Sequence, residues 1–480
     1  METLTHIIDN QHVTAQAHEW DNVYNPATGA VISKVPLDDD TAVDLAVKAA
    51  RQAYFSWSET PVLERARIMF RFRELLVNHH EDVAALVTKE QGKIFSDAYG
   101  EVGRAIEVVE LACGAPSLLK GEWLSQVAHG GIETSLQRVP LGVVAGITAF
   151  NFPAMIPLWM IPPAIVSGNT FILKPSERTP LTSMRIGELL QEAGVPAGVV
   201  NIVHGGRRIA DHILAHPGIQ AVSFVGSQPV AEYIYRTAAQ NGKRVQALGG
   251  AKNFHVVMPD ADIDRSVEAL GNSAFGSAGE RCLAGSVVIA VGDVAEQLVE
   301  AMTEKAKQLR VGEGMQPDSE MGPLIRSQHL NRVTGYIEQG VKEGARLVYD
   351  GRQHPTPHEG FFLGPSVFDR VTSEMAIAQE EIFGPVLSIM REPTLEEAIR
   401  TANRSLYGNT ASIYTQSGGW AQYFRDRIEA GMVGINIGIP APVAWFPFAG
   451  WKNSFYGDLH ATGLDAFWFY TERRVITTRW

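Results

Sequence analysis

Apolar positions in this chain switch repeatedly between helical and strand-like spacing, and the alternation predicts its architecture. From Asp39 to Val87 the spacing is helical, as in AVDLAVKAARQAYFSW and ERARIMFRFRELLVNHHEDVAALV. A further helix is predicted from Ser96 to about Cys113. LGVVAGITAF then reads as a buried strand, and PAMIPLWMIPPAIVSG as a Pro-started helix ending near Gly168. NTFILKP predicts a second strand, TPLTSMRIGELLQEAG a helix and GVVNIVHG a third strand. IADHILAHP predicts a short helix, and QAVSFVGS a fourth strand entering the helix VAEYIYRTAAQNG. Strands and helices joined by short loops predict a doubly wound, nucleotide-binding unit.

A second series begins near Lys252. It holds the helix SVEALGNSAFGSAG, the strand SVVIAVG, the helix AEQLVEAMTEKAKQL and later GYIEQGVKEG. The fold class is therefore α/β with much parallel sheet. The tail RRVITTRW is β-like, and with IETSLQRV (132–139) it predicts a small extra sheet. So small a sheet needs a partner surface, which predicts self-association.

One stretch tests whether the chain enters a membrane. From Val139 to Leu173 no residue carries a charge. A span needs about 20 apolar residues in helix. Pro153, Pro157, Pro162, Pro163, Asn151 and Asn169 interrupt this one, so buried strands and helices fit better. The start METLTHIIDN lacks the features of a signal or transit peptide, and a cytoplasmic protein is expected. At 480 residues there is room for two or three domains. With 53 acidic and 41 basic residues, the net charge of −12 argues against a general nucleic-acid or membrane-surface binder. Two cysteines exclude a disulfide framework and a cysteine-rich metal site, and no metal is expected.

Of the two, Cys113 lies on an apolar helical face, VVELACG, and reads as structural. Cys282 lies among small residues in FGSAGERCLAGS, beside Arg281. A cationic neighbour is expected to lower the thiol pKa and favour the nucleophilic thiolate. The bland alternative is a buried structural cysteine. His80, His204, His212, His216 and His255 read as surface or core residues, not bases. Zinc, P-loop, GxSxG and GxGxxG spacings are absent. Three short segments offer another route to a nucleotide. FVGS (224–227) ends a strand before a helix, where amides favour phosphate. KPSE (174–177) supplies a cation and a carboxylate, and EEIFGP (380–385) a carboxylate two residues before a phenyl ring.

Together with FNFP (150–153), LGGAKN (248–253), GERC (279–282) and PFAGWKNS (446–453), and in this order, these segments resemble the aldehyde dehydrogenase superfamily over essentially the whole chain. The longer runs FNFPAMIPLWMIPPAIVSGNTFILKPSERTP and INIGIPAPVAWFPFAGWKNSFYGDLHATG resemble its CoA-acylating methylmalonate-semialdehyde dehydrogenase branch. The resemblance implies a Rossmann-type NAD domain (1–119 and 140–248), an α/β catalytic domain (249–463) and oligomerisation strands (120–139 and 464–480) of a homodimer or homotetramer. It implies Cys282 as nucleophile and Asn151 as oxyanion donor. Phe150, Lys174, Glu177, Ser227, Glu381 and Phe383 would bind NAD. Arg104 and Arg281 would hold the carboxylate of a small anionic aldehyde; for Arg104 a simple helix-surface pairing with Glu101 or Glu107 is the alternative.

One departure is informative. Hydrolytic members carry Glu in ELGGK to activate water. Here Ala247 or Leu248 takes that position, and no Asp or Glu occurs between Glu232 and Asp260. The implied activity is NAD-dependent oxidation of methylmalonate or malonate semialdehyde through a Cys282 thioester. CoA transfer and decarboxylation to propionyl-CoA or acetyl-CoA would follow. The alternatives are a hydrolytic enzyme for another carboxylated or sulfonated aldehyde, with Glu280 as a substitute base, and a catalytically silent scaffold.

Overall fold

The computed structural model describes residues 3–479. Among the described residues there are two large sheets, a three-stranded sheet and two two-stranded pairs. In the first, the strands Val200–Ile202, Thr170–Lys174, Val143–Ile147, Ala221–Val225 and Arg244–Leu248 lie side by side and parallel. Antiparallel strands close both edges: His6–Ile8 with Gln11–Val13 on one side, Phe455–Tyr456 on the other. VVAGI, TFILK and AVSFV are buried at every position. Strands covered by helices on both faces must be continuously apolar, and parallel pairing follows from the helical crossovers. Tyr456 and Phe455, from the second half of the chain, thus complete the sheet built by the first.

In the second sheet Ser366–Asp369, Val386–Glu392, Val287–Val291, Phe254–Val257, Thr410–Tyr414 and Met432–Ile435 are parallel, with Arg346–Tyr349 antiparallel at one edge. The third sheet pairs the tail Thr471–Arg479 with Ile132–Pro140, and that strand with Glu122–Ala128. The first two of these segments are the ones the sequence predicts as an extra sheet; Glu122–Ala128 adds a third strand. Every residue of Glu122–Ala128 is exposed.

The predicted helices form, with Asp39 capping Asp40–Glu59 through the Ala42 N–H. Helix Met155–Val166 runs through Pro162 and Pro163. Each proline forgoes a helical N–H donor, and the nearly complete burial of this helix offsets that loss. Helical spacing through Gly279 overran the real end: the α-helix Ile263–Phe275 gives way to a tight turn, Gly276–Gly279. Ser277, Ala278 and Gly279 there have φ of 50°, 53° and 73°. The pairing of Trp20–Tyr24 with Val31–Pro36 was not foreseen either. Among the described residues no helix is long and apolar enough to cross a membrane.

Candidate active site

Cys282 stands where two cavities meet. The larger, about 690 Å³, opens beyond the carboxyl ends of the first sheet's parallel strands. The smaller, about 380 Å³, lies against helix Phe95–Cys113. Phe152, Trp159, Phe448 and Cys282 line both. The predicted residues divide between them. Phe150, Asn151, Lys174, Glu177, Ser227, Glu381 and Phe383 face the larger cavity, and Arg104 and Arg281 the smaller.

Each side chain is held by its element. Lys174 ends a strand, donates to the carbonyls of Pro175 (2.8 Å) and Gly205 (2.6 Å), and lies 3.6 Å from Glu177 Oε2. Burial lowers the Lys174 pKa. Burial acts to raise that of Glu177, but Lys174 and its other donors outweigh this, so the carboxyl stays below its ordinary value. Ser227 precedes helix Gln228–Gln240 and its side chain makes no capping bond. An exposed hydroxyl at a helix N-terminus therefore borders the cavity, chemistry suited to an anion, with Pro229 contributing no N–H of its own. Glu381 accepts from the Ala251 N–H at 3.0 Å, and burial pushes its pKa up to about 7. Its carboxylate occupies the space a side chain on Gly250 would take. Phe383 has φ of 60°, an uncommon conformation for a bulky residue. The His329 ring pins it through its carbonyl oxygen at 2.6 Å, and Phe150 meets its ring edge-on at 5.8 Å.

Asn151 is 3% exposed and donates to the Glu280 carbonyl at 3.0 Å. Because an amide NH₂ has two protons, the second remains for a ligand. The Cys282 carbonyl accepts from Asn253 and Asn409. The thiol itself is partly exposed to the cavities. Burial, then the nearby Glu381 charge, pushes its pKa up to about 12. Arg281 does act to lower it, as expected, but burial outweighs that effect and the net shift is upward. The Arg281 guanidinium turns to Asp97 (2.7 Å), the Ser277 hydroxyl (3.2 Å) and the Asn272 carbonyl (3.2 Å). Cys113 is buried in the core, and its thiol pKa is likewise raised, to about 11.

Arg104 lines the smaller cavity and pairs with Glu107 at 2.8 Å, the helix-surface pairing of the alternative reading. A second guanidinium nitrogen bonds the Pro442 carbonyl. Glu280, the substitute base considered above, is wholly buried and lines neither cavity. It accepts from Gln91 Nε2 (2.9 Å) and the Ile325 N–H (3.1 Å), and burial raises its pKa to about 8. Of the two residues at the missing Glu position, Leu248 faces the larger cavity and Ala247 is in the core. His212 and His216 share Asp44 on the surface.

Comparison with known proteins bears on this geometry. The family model described as the aldehyde dehydrogenase family matches residues 12–476. Malonate-semialdehyde dehydrogenase 1 of Geobacillus thermodenitrificans is 54% identical, covering 100% of this chain and 99% of the relative. Malonate-semialdehyde dehydrogenase of Halalkalibacterium halodurans is 53% identical over the same shares. The crystal structure of methylmalonate-semialdehyde dehydrogenase (DddC) from Oceanimonas doudoroffii superposes with a TM-score of 0.98 at 51% identity, covering 100% and 99% of the two chains. A Sinorhizobium meliloti protein solved as a complex with NAD also gives 0.98, at 44% identity, covering 100% and 98%.

Proposed function

Since the chain belongs to the aldehyde dehydrogenase family, we propose that it oxidises malonate or methylmalonate semialdehyde with NAD and passes the acyl group to CoA. The observation that carries this reading is the position of Cys282. That residue lines one cavity suited to a dinucleotide and another holding two arginines, while neither Ala247 nor Leu248, the candidates for the position of a water-activating Glu, is acidic. The larger cavity fits NAD by its donor set: Lys174 and Glu177 for ribose hydroxyls, Ser227 and its helix N-terminus for phosphate, Glu381 for the second ribose. Glu177 also repels a 2′-phosphate. Bound NAD supplies the hydride acceptor.

The chain's own residues do the rest. Cys282 Sγ gives up its proton to solvent in the open cavity and bonds the aldehyde carbon. The charge that develops on the aldehyde oxygen is met by the spare Asn151 N–H and the Cys282 main-chain N–H. Arg104 and Arg281 fix the substrate carboxylate, for which planar forked donors are suited. Loss of hydride leaves an acyl thioester on Cys282. With Ala247 and Leu248 both apolar at the missing Glu position, the thioester has no built-in water activator there and waits for the CoA thiol. Sulfur exchange frees Cys282. A carboxylate β to the new thioester carbonyl leaves as CO₂, and a proton takes its place, giving acetyl-CoA or propionyl-CoA. We place the enzyme in the cytoplasm, self-associating through the small sheet, where Trp123, Leu124, Val127 and Val475 are exposed.

The test is NADH formation from malonate semialdehyde with and without CoA, with product analysis. CoA-dependent turnover to acetyl-CoA is expected. Fast CoA-independent release of a free acid would assign a hydrolytic enzyme instead. Cys282→Ala should abolish turnover and keep NAD binding; full activity would place the chemistry elsewhere.

A further inference from the structure

A buried ion pair lies directly behind Asn151. The side chains of Lys93 and Glu101 are both 0% exposed, and Lys93 Nζ lies 2.7 Å from Glu101 Oε2. Desolvating two charges costs several kcal/mol per ion, so such a pair adds little net stability. What it touches gives a better reason for its presence. Lys93 Nζ donates to the Asn151 carbonyl at 2.6 Å and sits 4.0 Å over the Phe152 ring. Glu101 Oε1 accepts from the Ala154 (2.8 Å) and Met155 (3.1 Å) N–H groups, which lead into helix Met155–Val166. The turn 151–155 is therefore held at its carbonyl, its ring and its leading amides by one pair. Gln91 closes the circuit. It accepts from the Lys93 N–H at 3.0 Å and donates to Glu280, whose carbonyl receives the Asn151 amide.

We propose that Lys93 and Glu101 are positioning residues that aim the Asn151 amide at the oxygen of the reacting aldehyde. The proposal rests on the reading of Asn151 as oxyanion donor. A donor must lie within a few tenths of an ångström of the oxyanion's place to be worth its full effect. The pair fixes the Asn151 main chain, and the Glu280 carbonyl fixes one side-chain proton; the other is left directed. Both charged side chains are shut off from solvent and bond main-chain groups of the turn, so the charges serve geometry.

The test is a double-mutant cycle on the NADH burst, which reads acylation of Cys282 before CoA acts. Lys93→Met/Glu101→Gln removes both charges together, so no lone ion is left buried, and Gln keeps an acceptor for Ala154 and Met155. In the native background the burst rate is expected to fall about 10- to 100-fold, with NAD binding retained. In an Asn151→Ala background the same pair change is expected to cost less than about twofold, because the group it aims is gone. Equal losses in both backgrounds would mean a merely structural role and overturn the proposal. An Asn151→Ala burst as fast as the native one would overturn the oxyanion reading itself, and the proposal with it. Lys93→Arg, which keeps the cation, should recover most of the rate; failure to do so counts against the proposal. If the paired variant does not fold, Glu101→Asp goes through the same cycle with the same two outcomes.

Discussion

Asn253 and Asn409 donate to one and the same atom, the carbonyl oxygen of Cys282, at 2.9 and 3.0 Å. They come from the ends of neighbouring strand connections and hold the backbone at Cys282 from two directions. Asn253 also donates to the Ala284 carbonyl and accepts from the Thr410 N–H. At about 1 kcal/mol per hydrogen bond, Asn253→Ala should lose about 3 kcal/mol of stability and Asn409→Ala about 1. Denaturant unfolding of the two variants under identical conditions checks the order.

The raised thiol pKa has a direct pH signature. Below its pKa of about 12 the thiolate fraction of Cys282 grows with pH. Iodoacetamide labelling of the free enzyme, located by mass spectrometry, should rise about tenfold per unit from pH 7 to pH 10, without a plateau. A plateau near pH 8 would contradict the desolvated thiol.

Glu381 links the thiol and the cofactor cavity. Its charge is the second cause, after burial, of the Cys282 shift. Glu381→Gln should therefore lower the thiol pKa and speed labelling at pH 9, yet weaken NAD binding about tenfold through loss of a charged hydrogen-bond acceptor. Labelling and cofactor titration should move in opposite senses.

In the proposed function, cofactor choice rests on Glu177. The carboxyl is ionised at neutral pH, since its pKa is lowered against the effect of burial. Glu177→Gln removes the repulsion of a 2′-phosphate. The ratio of kcat/KM for NADP to that for NAD should rise about tenfold, one charge interaction of about 1.4 kcal/mol.

Arg104 distinguishes substrate recognition from packing. Arg104→Leu should raise KM for malonate semialdehyde at least about tenfold, the worth of a lost charged hydrogen bond. The KM for propanal, which has no carboxylate, should change little. Equal changes for both aldehydes would confine Arg104 to its bonds with Glu107 and Pro442.

Much of this was legible in the sequence because strand burial and helix periodicity are local signals. VVAGI, TFILK and AVSFV needed no partner to be recognised as two-faced core strands. FNFP, KPSE, FVGS, GERC and EEIFGP are short, so their residues stay together wherever the chain goes. The thiol's environment was not legible. Arg281 adjoins Cys282 in sequence, but its guanidinium spans to Asp97, on another helix. Adjacency along a chain says little about where a long side chain ends. Lys93, Glu101 and Asn409 carried no signal as site residues, because each bonds main-chain atoms far away in sequence. The end of helix Ile263–Phe275 was misjudged for a different reason: Ser277 and Ala278 adopt left-handed conformations that their side chains do not favour.

The second glycine of LGGAKN shows how a site can restrict a sequence without restricting the fold. Gly250 is not among the glycines with positive φ, so alanine would suit its backbone. An added methyl would meet the end of the Glu381 side chain, which can swing away. Gly250→Ala would then fold normally and give up the carboxylate's place beside Ala251. Any tolerance map drawn from stability alone would mark this position as free, whereas selection on turnover would hold it invariant.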